Sequence, residues 1–107
     1  MFDSVKNLKK IQTDFDKYQN NFFTKRNPEF FCLELNGEAG ELANLEKKLW
    51  KGKDIDFDLV ADEAADVFIA LMNYCNSREL DLAKSVNLKL IKIETKRLDL
   101  KSKCEEY

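Results

Sequence analysis

Residues 28–50 read PEFFCLELNGEAGELANLEKKLW, and this stretch carries the pattern that decides the fold. Its apolar side chains recur every three or four residues, which is the spacing of one face of an α-helix. Asn27 is a favourable N-cap, and Pro28 fits the first helical position, where its missing N–H is not needed. Gly52 follows as a favourable stop. We therefore predict a helix over about residues 28–50.

The same spacing predicts helices on both sides of this stretch. We expect one over about residues 4–24, one from an Asp56 or Asp58 cap to about Ser77, and one from an Asp81 cap to about residue 100. One proline and three glycines in 107 residues favour long helices over a sheet. The third helix is the most apolar, so we expect it to be central and largely buried. The sequence predicts a single all-α domain over residues 1–107, whose central part spans about 28–100 and follows the N-terminal helix.

The composition excludes several kinds of chemistry. The chain has no histidine, which excludes imidazole catalysis and histidine-ligated zinc. A net charge of -2 indicates neither a nucleic-acid polymer nor a membrane as a partner. Three cysteines outside any CxxC spacing are typical of reduced thiols, and residues 1–6 lack the order of a signal peptide. We therefore expect a cytoplasmic protein.

Acidic residues interrupt the apolar pattern of two of these helices. Glu38 occupies a seam position with Glu41 three residues later, and Glu63 and Asp66 repeat that spacing in the most apolar helix. An ionised carboxylate in a dry interior must be paired, protonated or metal-bound. Two such helices packed face to face would surround a hard divalent cation, Mg²⁺ or its substitute Mn²⁺.

Two glycines lie beside the first acidic pair. Gly37 and Gly40 each cost about 1 kcal/mol relative to alanine inside a helix, which suggests close approach by a neighbouring helix or a ligand. The alternative interpretation of the acids is a solvated helix surface. A di-iron bundle is excluded because that site needs histidines.

The two acidic pairs carry a family resemblance. Glu38-Ala-Gly-Glu41, 21 intervening residues, and Glu63-Ala-Ala-Asp66 resemble the ExxE…ExxD signature of MazG-like nucleotide pyrophosphohydrolases, an all-α NTP pyrophosphatase superfamily. The resemblance covers about residues 30–100 and implies a four-helix bundle-like fold completed as a homodimer or homotetramer. It implies hydrolysis of a (deoxy)nucleoside triphosphate to the monophosphate and pyrophosphate in nucleotide-pool house-cleaning. The four acids would bind Mg²⁺, and Glu41 and Glu38 are the catalytic candidates, with Glu41 orienting or deprotonating water.

Further substrate-binding candidates are Trp50, Lys51, Lys53, Asn73, Lys89 and Arg97. The resemblance suggests Lys89 and Arg97, because the family places cations near the phosphates on its last helix. Arg97 falls on an otherwise apolar series, so we expect it to face inward and hold a phosphate or pair with a site acid. Asn73, two turns after Asp66, is a candidate for contacting a base edge, and Trp50 for stacking on a base or for the core.

Two competing hypotheses remain. One is a helical interaction module whose seams bury a partner and whose acids only keep it in solution. The other keeps the enzyme but changes the substrate to a phosphorylated metabolite such as phosphoribosyl-ATP. A helical chain of this length with several apolar faces also favours self-association.

Overall fold

The structure, a computed structural model, describes residues 2–106. Within this range it contains four α-helices and no strand: α1 (Val5–Phe22), α2 (Pro28–Trp50), α3 (Phe57–Ser77) and α4 (Leu82–Ser102). The all-α prediction is confirmed, and the helix ends agree with the sequence prediction to within about two residues. Residues 1 and 107 of the predicted domain lie outside the described residues. No helix in the described range combines the length and the apolar composition needed to cross a bilayer.

Local capping explains where three of the helices begin and where α2 ends. In each case a side-chain oxygen accepts a backbone N–H at 2.9–3.1 Å: Asn27 from Phe30, Asp56 from Asp58, and Asp81 from Lys84. Gly52 follows α2 with φ of +82°, a backbone conformation that a β-carbon disfavours. Its N–H donates to the Leu49 carbonyl at 2.9 Å, so this glycine ends α2 as predicted.

The four helices pack in two pairs. α2 packs along α3, α1 packs against α4, and a smaller contact between α1 and α3 joins the two pairs. The radius of gyration is 17.3 Å, whereas a compact chain of this length has about 13 Å. The single chain is therefore more open than a closed four-helix bundle. Large apolar side chains of α4 stay exposed, among them Leu88, Ile91 and Leu98.

A buried glutamine fixes α1 against the turn between α3 and α4. Gln12 is 6% exposed, and its Nε2 donates to Asn76 Oδ1 and to the Leu80 carbonyl, both at 2.8 Å. Its Oε1 accepts the Leu82 N–H at 3.0 Å. Because all hydrogen-bonding groups of this buried amide are satisfied, the contact specifies how α1 meets the end of α3.

The prediction that α3 is largely buried is wrong. α3 does contact both α2 and α1, but its four buried residues all lie in its C-terminal half: Ala70, Met72, Asn73 and Cys75. In its N-terminal half, Ala61, Ala64 and Ala65 are exposed, and so is Phe68 just past the middle. The reason is that α1 meets α3 near the C-terminal end, through Gln12 and Asn76, and leaves the earlier turns covered by α2 alone.

Candidate metal centre

The packing of α2 along α3 brings the two acidic pairs together. Carboxylate oxygens of Glu38, Glu41 and Glu63 lie within 4.8 Å of one another. Oxygens of Asp62, Glu63 and Asp66 form a second group within the same distance. Glu63 belongs to both groups, so these five residues form one connected set, which we call the acidic cluster.

All four acids predicted from the sequence belong to this cluster. Asp62 is the member that the sequence prediction missed. It is exposed, and it precedes Asp66 by four residues, which places the two carboxylates on the same flank of α3. That spacing was the available signal, but an exposed acid at the start of a helix is usually only solvated.

Two oxygens of the cluster are enclosed without a hydrogen-bond partner. Among the described residues, Glu38 Oε2 and Glu63 Oε2 are buried atoms that accept no hydrogen bond. None of the ion pairs Lys9–Asp81, Arg78–Glu29, Arg97–Glu94 and Lys103–Asp99 includes a member of the cluster. A buried acceptor that is left unsatisfied is unfavourable, and more so when it is charged. Closely spaced carboxylate oxygens without cationic partners fit a hard divalent ion such as Mg²⁺ or Mn²⁺.

The crowding shows in the acid–base properties of the cluster. Burial, followed by the proximity of Glu41 and Glu38, raises the pKa of Glu63 from 4.5 to about 7. Burial also raises the pKa of Glu38, and the negative charges of Glu41 and Asp66 act in the same direction. Without a cation, the cluster therefore holds protons at a pH where isolated carboxyl groups have lost them.

A cavity of about 410 Å³ opens beside Glu38 and Asp66. Residues from the end of α1, the α1–α2 connection, α2 and α3 line it, among them Arg26, Phe31 and Asn73. Asn73 follows Asp66 by seven residues, which corresponds to about 10 Å along the axis of α3. The cavity therefore leads from the acidic cluster towards a predicted base-contacting residue.

Comparisons of the chain with protein-family models, with curated proteins and with solved structures found no match. The resemblance to MazG-like pyrophosphohydrolases therefore remains a prediction from the spacing of four acids. The convergence of those acids is a separate observation, because it comes from the packing of α2 on α3.

The other predicted substrate-binding residues lie away from this cavity. Trp50 and Lys51 lie at the far end of α2, where they line a different cavity of about 720 Å³, and Lys53 is exposed in the following turn. Trp50 is 88% exposed, so it is not a core residue of the single chain. Lys89 is exposed on α4, which packs against α1 and not along α2.

The prediction that Arg97 faces inward is wrong. Its side chain is 50% exposed, and its Nε donates to Glu94 Oε2 at 3.0 Å on the same helix. Within the chain, Arg97 therefore pairs with neither a phosphate site nor a cluster acid. The physical reason is that this face of α4 has no neighbouring helix in the single chain, so an apolar series there does not imply burial.

The expectation that a neighbouring helix approaches closely at the two glycines of α2 is also wrong within the chain, whereas close approach by a ligand stays a prediction. A β-carbon built on Gly37 or Gly40 would meet no atom within 4 Å. Both positions face open space, and the glycines are not required by the packing of α2 on α3.

Arg26 is a cavity residue that the sequence prediction missed. It lies in the α1–α2 connection, where its guanidinium carbon is 4.7 Å from the centroid of the Phe30 ring. The available signal was a pair of cations, Lys25 and Arg26, directly before the Asn27 cap of the helix that carries Glu38. Loop cations are usually solvated, so this signal is weak without the fold.

Proposed function

We propose that this chain is a Mg²⁺-dependent nucleoside triphosphate pyrophosphohydrolase that forms the nucleoside monophosphate and pyrophosphate. The observation that carries the proposal is the pair of enclosed oxygens without partners, Glu38 Oε2 and Glu63 Oε2, inside the acidic cluster. Glu38, Glu41, Glu63 and Asp66 would hold the ion, with Mn²⁺ as a substitute. The resemblance in the spacing of these four acids supports nucleotide-pool house-cleaning as the role.

The charges of the site explain why a divalent cation is needed. Five carboxylates repel a triphosphate, and Mg²⁺ held by them would supply the positive charge that offsets this repulsion and stabilises the leaving pyrophosphate. Glu38 and Glu63 are partly buried, whereas Glu41 is exposed. Because a general base must reach water, Glu41, the exposed member of the four acids that would hold the ion, is our candidate to take a proton from it.

We also propose that the protein works as a homodimer or homotetramer. The support is the amount of apolar surface that the single chain leaves exposed on several helices: Phe22 at 71%, Leu33 at 74%, Phe57 at 72% and Leu98 at 51%. The open arrangement of the two helix pairs points the same way, since α4 has few neighbours in its own chain. The free cysteines Cys32, Cys75 and Cys104 support a cytoplasmic location.

A helical interaction module is the second candidate. The exposed apolar faces favour it, because a different protein could cover them instead of a second copy. This candidate assigns no function to the acidic cluster. A pyrophosphohydrolase of a related phosphorylated metabolite is a variant of the first proposal and uses the same carboxylates.

The test is pyrophosphate release from a panel of nucleoside and deoxynucleoside triphosphates with Mg²⁺. We expect release from at least one nucleotide, abolished by EDTA and reduced to background by Glu38→Gln or Asp66→Asn. The matched controls are Glu46→Gln and Asp14→Asn, which change exposed acids outside the cluster and should keep the activity. No release from any nucleotide, together with no metal binding by calorimetry, would refute the enzyme and favour the interaction module.

A further inference from the structure

Two cavities meet on the α1 side of the acidic cluster. The cavity of about 410 Å³ at Glu38 and Asp66 shares residues with a second cavity of about 620 Å³, which extends towards the start of α2 and the end of α3. The shared residues are Gln19, Thr24, Arg26, Phe31 and Asn73. Each of the two cavities has a volume in the range of small-molecule sites. We call this joined space the Asn73 pocket.

Asn73 has a side chain whose hydrogen-bonding capacity is unused. It is 7% exposed, and its carboxamide makes no hydrogen bond with the residues in the described range. Asn76, one turn later, differs because its amide is bonded to Gln12 through both its oxygen and its nitrogen. Buried carboxamides are normally satisfied, with two donors and one acceptor each. Because neither polar atom of Asn73 is among the enclosed ones, its carboxamide opens onto the two cavities, where a ligand with complementary donors and acceptors would satisfy it.

The surroundings of Asn73 suit a flat ring next to an anionic group. Phe31 is 5% exposed and lines both cavities, and Phe30 packs edge-on against it with ring centroids 5.6 Å apart. Arg26 lies over Phe30 at 4.7 Å and contributes a positive charge to the same space. The aromatic rings and the cation thus line the same cavity as the Asn73 amide and the acids Glu38 and Asp66.

The distance from Asn73 to Asp66 along α3 suits a ligand with a flat ring at one end and an anionic group at the other. Asn73 lies about 10 Å along the helix axis from Asp66, which is a separation suited to a base edge and a phosphate of the same nucleotide. We infer that the Asn73 pocket binds the nucleoside part of the substrate and that Asn73 is the specificity-determining residue, whose carboxamide contacts the hydrogen-bonding edge of the base. This inference rests on the proposed function only in placing the phosphates of the ligand at the acidic cluster.

The test is chemical-shift mapping of the ¹⁵N-labelled full chain in EDTA with the four deoxynucleoside monophosphates as probes. We expect base-dependent shifts at the amides of Gln19, Thr24, Arg26 and Asn73, and none near Trp50. Asn73→Leu should weaken the tightest of the four complexes by about tenfold, the effect of lost hydrogen bonds to one amide. Asn44→Ala, which alters an exposed amide on α2, is the control and should leave all four affinities unchanged.

A second variant covers the case in which Asn73→Leu does not fold. Asn73→Asp keeps the size of the side chain but replaces the amide donors with acceptors, so it should change the order of preference among the bases. Shifts confined to the surroundings of Trp50, or the same order of bases in every folded variant, would overturn the inference.

The outcomes separate this inference from the proposed function. Base-dependent binding that requires Asn73, without hydrolysis of any triphosphate, would support the pocket and refute the pyrophosphohydrolase. Hydrolysis that Glu38→Gln abolishes, with base selectivity unchanged in Asn73→Asp, would support the enzyme and refute the pocket.

Discussion

Binding of Mg²⁺ to the acidic cluster should release protons in an amount set by Glu63. Burial and the proximity of Glu41 and Glu38 raise the pKa of Glu63 to about 7. The carboxyl group is then about 90% protonated at pH 6, about 50% at pH 7 and about 10% at pH 8. Because Mg²⁺ binds the charged form, its binding should release about 0.9 protons from Glu63 at pH 6, about 0.5 at pH 7 and about 0.1 at pH 8. For the same reason, the affinity of the cluster for Mg²⁺ should rise about tenfold from pH 6 to pH 8.

Isothermal titration calorimetry measures this release, since the observed enthalpy then depends on the ionisation enthalpy of the buffer. Glu38, whose pKa is also raised, adds protons in the same direction, so the wild-type protein should release at least the amount given for Glu63 alone at each pH. Glu46→Gln, an exposed acid on α2, should behave as wild type. Mg²⁺ binding at pH 6 with the same enthalpy in every buffer would contradict the release of protons from Glu63.

Three further predictions concern the fold and the assembly. In urea unfolding, Gly52→Ala should lower the free energy of unfolding by about 1 kcal/mol, because φ is +82° at this position. Gly40→Ala should raise the free energy of unfolding by up to about 1 kcal/mol, because a β-carbon there meets no atom within 4 Å. Gln12→Ala should cost about 2–3 kcal/mol in the same assay, because it leaves the partly buried partners of three hydrogen bonds unsatisfied. Light scattering should give a mass at least twice 12.5 kDa, and a particle of 12.5 kDa would contradict the proposed assembly.

The helices were predictable because their signals are local. Asn27, Asp56 and Asp81 each cap a helix through a backbone N–H two or three residues away, so the sequence alone carries the information. To predict that Glu38 and Glu63 lie close together, one tertiary contact must also be known, the packing of α2 along α3. A connection as short as residues 51–56 makes that packing the expected one, which is why the acidic cluster could be anticipated.

The incorrect predictions concern surfaces whose covering depends on the remaining helices. The apolar pattern of α3 and the series that includes Arg97 show which face of a helix is apolar, but they do not show which helix, if any, covers it. In this chain α1 reaches only the C-terminal half of α3, and α4 leaves Arg97 exposed beside Glu94. Arg26 was missed for a related reason, because only the fold brings the α1–α2 connection beside Asp66.

The most direct test of the central claim is electron paramagnetic resonance of Mn²⁺ in the presence of the protein, because the spectrum counts the ions that remain free in solution. We expect the wild-type protein to remove Mn²⁺ from the free pool and Mg²⁺ to return it. Glu38→Gln and Glu63→Gln should lose this binding, whereas Glu46→Gln should keep it. A free Mn²⁺ signal that is unchanged by the wild-type protein would contradict the claim that the acidic cluster is a metal site.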